Sequence, residues 1–200
     1  LAQDNLAFID QEMAQGNALY RSWKNGEARL AAYLEDYAHL IDALATLHSI
    51  TLEPAPLERA VALTEHVLAH FQAGEADLLA FTPQAGGEEL IARSSELQDN
   101  VIPASNSVMA HNLHRLGRLL ERPDWVQRSE RMLAAVQPLV LKHLRAFTTW
   151  GELALKLAWP TYELAILGPE SADQRHALEA HAYLPHTYIT GCTRQQDVQN

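Results

Sequence analysis

Apolar side chains recur along most of this chain at helical spacing, which predicts a series of amphipathic helices. One helix is expected to begin near Leu34 and to bury Tyr37, Ile41 and Leu44. Behind Pro56, the residues Leu57, Val61, Thr64, Leu68 and Phe71 fall on a single stripe. Ser105 or Asn106 is placed to cap a helix whose buried row is Met109, Leu113, Leu116 and Leu120. Asp124 opens the next, carried by Trp125, Met132, Val136 and Val140, and Pro138 predicts that it kinks or ends early. Thr149-Trp150-Gly151-Glu152 has the form of a capping box ahead of Leu153, Leu155 and Leu157.

Strand signals are fewer. Leu78–Thr82 and Leu90–Arg93 flank Gly86-Gly87 and predict a short hairpin. Near the end, a strand over Tyr162–Leu167, the turn Gly168-Pro169, a helix capped within Ser171–Gln174 and a strand over Thr187–Thr190 predict a βαβ-like unit. That unit has no GxGxxG or Walker spacing, which argues against a nucleotide site. No short repeat period runs through the chain, which disfavours tetratricopeptide-type arrays. The expected architecture is therefore mainly α. A segment of helical hairpins covers residues 1–160, and a small α/β appendage over 161–200 packs on the same domain.

Composition narrows the partners. Hydrophobic residues make up 48% of the 200 positions and charged residues 20%, the balance of a chain that buries a core. The formal net charge of −10 repels phosphate backbones and anionic lipid, so neither nucleic acid nor a membrane surface is an expected partner. The longest nearly apolar run, Leu153–Trp159, is interrupted by Lys156 and stops at Pro160, far short of the roughly 20 residues a transmembrane helix needs. The chain opens on Leu1-Ala2-Gln3-Asp4, with neither Met nor a signal-peptide pattern, and is expected to be a piece of something longer. Cys192 is the only cysteine, which rules out an internal disulfide or a cysteine-based zinc site. A reduced, cytoplasmic setting without a cofactor is the expectation.

Three stretches, in order along the chain, carry a family likeness. The first is Arg21-Ser22-Trp23-Lys24-Asn25-Gly26 followed by Leu34-Glu35-Asp36-Tyr37-Ala38. The second is Leu90-Ile91-Ala92-Arg93 with Glu96 and Asp99. The third is Ile102-Pro103-Ala104-Ser105-Asn106-Ser107-Val108 leading into Leu113 and Leu116. Together with Ile166-Leu167-Gly168 and Tyr183-Leu184-Pro185, they resemble the helical portion of the spermatogenesis-associated protein 20-like family. The resemblance implies a thioredoxin-like domain ahead of a six-hairpin (α/α) barrel, with this chain as the C-terminal part of that barrel. It departs from the family where Ser95 stands in place of a lysine. A barrel of this kind is similar in fold to sugar epimerases and inverting glycosidases, but fold kinship alone assigns no reaction.

The candidate site residues follow from these stretches. Asp36 shares a helical face with Ala32, Leu40, Ala43 and Leu47 and should point inward, while Glu35 shares a polar face with His39 and Asp42. Both acids also suit a helix's first turn, where they would complement free N–H groups and the dipole. Arg93, Glu96, Asp99, Asn100 and Asn106 lie in a connection that would line a barrel mouth, or else form a surface loop with local ion pairs and an Asn106 cap. Arg21 and Trp23, in an expected loop, and Tyr37 are candidates to hold a ring.

His66 and His70 have metal-chelating spacing but face away from the apolar stripe, and no HExxH pattern accompanies them. His111 and His114 share an outer side with Arg115 and Arg118, and no metal site is expected there either. Trp125 and Trp150 read as core. Cys192, whose nearest cation in sequence is Arg194, reads as a buried or incidental thiol.

Three readings stand at this point. The first is a carbohydrate-enzyme-like helical segment without established activity. The second is a sugar-directed epimerase or hydrolase, with Asp36, Glu96 and Asp99 as catalytic carboxylates and a small carbohydrate as ligand. In it Arg21, Trp23, Glu35, Tyr37, Arg93, Asn100 and Asn106 would bind the substrate. The third is a scaffold that presents clients to a redox domain. A half-barrel would also leave an apolar edge, to be covered by self-association or by a missing N-terminal portion.

Overall fold

A computed structural model describes residues 1–74, 77–84 and 94–193. These hold seven α-helices, a three-stranded antiparallel sheet and a two-stranded parallel sheet. The chain begins with helix α1 (Ala2–Glu12) and strands β1 (Ala14–Gln15), β2 (Ala18–Lys24) and β3 (Glu27–Ala31). Neither α1 nor this sheet has a counterpart in the sequence expectation, which left Arg21 and Trp23 in a loop. The β2–β3 hairpin turns at Asn25 and Gly26, with φ of 55° and 79°, and Lys24 pairs Glu27 across it. Positive φ at both central residues is what a two-residue type I′ turn demands, and Asn-Gly supplies it at least cost.

The helical body has two rows. Helix α2 (Leu34–Thr51) folds back on α3 (Pro54–His70), and α4 (Ser105–Leu119) on α5 (Pro123–Lys142), with α6 (Thr148–Ala158) after a short 3₁₀ turn. Asn112 Nδ2 donates to the Ala38 carbonyl and Arg115 Nη2 to that of Ala45, so α2 and α4 run the same way. Asp99 accepts amides at the start of both α4 and α6, which places those two N-termini together. Helices α2, α4 and α6 therefore form one parallel row, with α3 and α5 packed against it. The main core lies between the rows, where Tyr37, Ile41, Leu63, Phe71, Met109, Leu113, Trp125, Met132 and Trp150 are buried. Gly117 lets the α4–α5 turn close, since a Cβ there would sit 2.9 Å from Val126 Cγ2 and 3.0 Å from the Arg122 carbonyl oxygen.

Strand β4 (Tyr162–Leu167), helix α7 (Ser171–His181) and strand β5 (Thr187–Cys192) make the expected βαβ unit, with β4 and β5 parallel. It is fastened to the helical rows by His48 Nε2 against Thr190 Oγ1, by His114 Nδ1 against the Tyr188 hydroxyl, each at 2.8 Å, and by Arg175 Nε donating to the Ser49 carbonyl. Among the described residues, no helix is long and apolar enough to cross a membrane.

Several local expectations are corrected. Residues Leu78–Thr82 form no strand, only an isolated bridge between Gln72 and Leu79, and the partner arm Leu90–Arg93 lies outside the described residues. Pro138 does not end α5, which continues to Lys142. The Thr149–Glu152 capping box is absent, because the Asp99 carboxylate takes the Thr149 amide instead. His114 is buried, not on an outer side, and His66 is half-buried with its ring 5.4 Å from that of Tyr37.

Candidate functional site

The acidic residues singled out in the sequence gather at the N-terminal ends of the parallel row, and most of their oxygens are occupied. Asp36 Oδ2 accepts the Tyr33 amide at 2.8 Å and Arg21 Nη1 at 3.0 Å. Glu35 Oε1 lies 2.5 Å from the same guanidinium, whose carbon stands 4.7 Å from the Tyr33 ring centroid. The bond to Glu35 raises the Arg21 pKa above its ordinary value. Glu96 accepts the Ser105 amide at 3.0 Å.

Asp99 has both oxygens engaged. Oδ1 takes the Ala104 amide and the Ser107 hydroxyl, and Oδ2 takes the Thr148 hydroxyl and the Thr149 amide. Burial pushes its pKa up, but the bonds from Ala104 and Thr149 outweigh that and hold it below the ordinary value.

The remaining candidates separate. Tyr37 is buried, and its hydroxyl accepts the Leu19 amide at 2.8 Å. Asn106 is fully buried, and its side-chain amide both accepts from and donates to the backbone of Leu79. Trp23 is 40% exposed, with its indole N–H on Glu12 and its ring edge-on to Phe8. Asn100 is exposed. Arg93 lies outside the described residues, as does Arg194 beside the buried Cys192. Arg21, Glu35 and Asp36 do share a hollow of about 500 Å³ with Ile102, so the start of α2 and the connection before α4 meet at one end of the row.

A larger polar cleft, about 560 Å³, lies further along the same row. Its floor is built from successive turns of three helices: His39 and Asp42 on α2, His111, Asn112 and Arg115 on α4, and Glu152 and Lys156 on α6. The βαβ unit closes the other side with Arg175, Glu179, Thr187 and Tyr188. None of the seven floor residues was proposed as a site residue from sequence. Parallel packing of α2, α4 and α6 brings them together, and the sequence shows only local signals, the polar face of Glu35, His39 and Asp42 and the i, i+4 pairs His111–Arg115 and Glu152–Lys156.

Burial suppresses protonation of the bases in and beside the cleft. Burial, reinforced by Lys156, pushes the His111 pKa down to about 4, and its Nε2 bonds the Thr149 carbonyl at 2.8 Å. Burial, with Arg118 and Lys156 nearby, pushes His114 down to about 4. Burial raises the Tyr188 hydroxyl to about 12 and lowers Lys156 and Arg115. Both imidazoles are thus neutral at physiological pH, which leaves Arg115, Lys156 and Arg175 as cations against Asp42, Glu152 and Glu179. Among the described residues no cluster of three His, Cys, Asp or Glu side chains could hold a metal ion.

No family model matches the chain. Half of this chain is similar to spermatogenesis-associated protein 20. The mouse (Mus musculus) protein of that name is 31% identical over 112 residues, which are 52% of this chain and 13% of the relative. The human protein is 34% identical over 112 residues, again 52% of this chain and 13% of the relative. An uncharacterized protein of Caenorhabditis elegans is 28% identical over 106 residues, 53% of this chain and 14% of that protein. The match therefore spans about one eighth of the length of these relatives.

Proposed function

We propose that the cleft between the α2–α4–α6 row and the βαβ unit is a sugar-directed site, within a helical-hairpin array that closes into a toroid in the longer relatives. The carrying observation is the convergence of polar side chains from the three parallel helices α2, α4 and α6 on one cleft of about 560 Å³. A polyol hydroxyl both donates and accepts, so it suits a surface where the carboxylates Asp42 and Glu152 alternate with the donors Arg115, Lys156 and Asn112. In this reading Asp42 and Glu152 are the carboxylates available for acid–base work. Asp36, Glu96 and Asp99 hold the helix ends that position them. Residues 1–160 and 161–200 then act together, since each supplies one wall.

Saturation-transfer NMR with a panel of monosaccharides tests this. Binding is expected, and is expected to be lost in the Asp42→Asn/Glu152→Gln double variant while its urea midpoint stays unchanged. Both side chains are exposed enough to be replaced without unfolding. Absence of binding to any sugar, or binding indifferent to the double variant, refutes the reading.

A second reading, an interaction scaffold, is favoured by one observation. Leu155 on α6, Trp159 just past its end and Leu144 in the 3₁₀ turn before it are 59%, 66% and 57% exposed, three large apolar side chains open to solvent around this helix. Size-exclusion chromatography with light scattering tests whether this surface associates.

A further inference from the structure

The cleft's unmet hydrogen-bonding capacity has a direction. Arg115 spends Nη1 on the Thr46 hydroxyl and Nη2 on the Ala45 carbonyl, yet its buried Nε–H has no partner. The nearest carboxylate, Asp42, approaches only Nη1, at 3.8 Å. The Lys156 ammonium is half-buried and, among the described residues, makes no hydrogen bond or ion pair, standing 5.8 Å from the Tyr188 ring centroid. His39 Nε2 is buried and also lacks a partner. It is a donor whenever the ring carries its proton on that nitrogen.

Arginine and lysine nitrogens are donors only, so the unmet demand on α4 and α6 calls for acceptors. The acceptors already in the cleft leave that demand standing. Glu179 is bound to Arg175 at 2.6 Å, and Asp42 and Glu152 are exposed to water. Buried donors left without acceptors are costly, whereas an anionic oxygen meets them with charge-assisted bonds.

We infer that the ligand of this cleft carries an oxyanion, a carboxylate or a phosphate on a polyol, seated between Arg115 and Lys156 with His39 at its side. The inference rests on the sugar-directed reading for the polyol and on the unpartnered donors for the anion. The chain's net charge of −10 gives no long-range attraction for such a ligand, so selectivity falls to these local contacts.

Calorimetry with four probes tests it: glucose, glucuronate, glucose 6-phosphate and inorganic phosphate. At least one acidic sugar is expected to bind about tenfold or more tightly than glucose, and Lys156→Gln is expected to erase that advantage, weakening the acidic sugar far more than glucose, with the thermal midpoint unchanged. Preference for glucuronate assigns a carboxylate, whereas preference for glucose 6-phosphate together with binding of inorganic phosphate assigns a phosphate. Glucose binding as tightly as both acidic sugars, with no effect of Lys156→Gln, overturns the oxyanion and leaves the sugar site standing. Binding of inorganic phosphate alone, lost in Lys156→Gln, overturns the polyol and leaves the oxyanion. Binding of none of the four overturns both.

Discussion

Asn106 begins as a residue expected to touch ligand and ends as one that ties the polypeptide together, and its removal separates the two roles. Its Oδ1 accepts the Leu79 amide at 2.8 Å, and its Nδ2 donates to the Leu79 carbonyl at 2.9 Å. Both partners are fully buried, and Leu79 belongs to the core. The side chain thus mimics a β-bridge partner for a segment without strand structure of its own. Asn106→Ala leaves one buried N–H and one buried C=O without partners, each costing about 1–3 kcal/mol. The loss should be roughly 2–6 kcal/mol, a large share of the ~5–15 kcal/mol that holds a domain folded.

Asn106→Asp should recover only part of this, because the carboxylate accepts the amide but sets its second oxygen against the Leu79 carbonyl. Urea unfolding followed by far-UV circular dichroism reads the change as a shift in midpoint at constant slope. A loss below about 1 kcal/mol for Asn106→Ala would mean that water or neighbouring chain replaces the bonds. The structural account of this residue would then fall.

Other outcomes follow from single contacts. Gly191→Ala should disrupt the βαβ unit, since a Cβ there would meet the Ile166 carbonyl oxygen at 2.0 Å; loss of the Tyr188 environment by fluorescence, with the helical circular dichroism signal retained, checks it. His114 is buried neutral with its pKa near 4, while the unfolded ring titrates near 6.5. Stability should therefore be full above pH 6.5 and fall as the pH drops towards 4, by up to about 3 kcal/mol from this ring, with His111 acting in the same sense. Denaturation midpoints between pH 7 and 4.5 read that slope, and His114→Gln should flatten it. The exposed Leu144, Leu155 and Trp159 should drive self-association, visible by light scattering at rising concentration and abolished by Leu155→Glu. A monomer at all concentrations refutes that.

The helical body was legible because its stripes obey one period: Tyr37, Ile41 and Leu44 are buried as expected, and so are Met109, Leu113, Leu116, Trp125 and Trp150. The N-terminal sheet was not, because β2 buries only Leu19 and therefore shows no inside–outside alternation. The Asn25-Gly26 pair carried the signal that could have found it. His114 was misplaced because its burial comes from β5, seventy-four residues away, through a contact that no local pattern encodes. The cleft was illegible for the same reason: His39, Arg115 and Lys156 become neighbours only when three helices pack in parallel.

That parallel packing also explains why sequence reading fastened on Asp36, Glu96 and Asp99. Three helix N-termini lying side by side present a double set of unmet conditions, free amides and dipole ends of one sign. In an antiparallel pair, positive and negative ends would offset each other, whereas here they add. Acidic side chains at that end answer both conditions, and each of the three does so through a backbone amide: Asp36 at Tyr33, Glu96 at Ser105, and Asp99 at both Ala104 and Thr149. A concentration of carboxylates at that end is therefore what the architecture itself requires, whether or not the protein binds anything there. Polar groups that answer no such demand carry more weight. His39 and Arg115 sit one or more turns into their helices, where backbone amides are already paired, while Lys156 stands in the last turn of α6, where its charge also complements the dipole. Arg115 and Lys156 pay a desolvation cost as charges, and all three leave nitrogens unpartnered. Arg115 also ties α4 to α2 through Ala45 and Thr46, so it is the unpartnered nitrogens, not the presence of these residues, that the proposed ligand would account for.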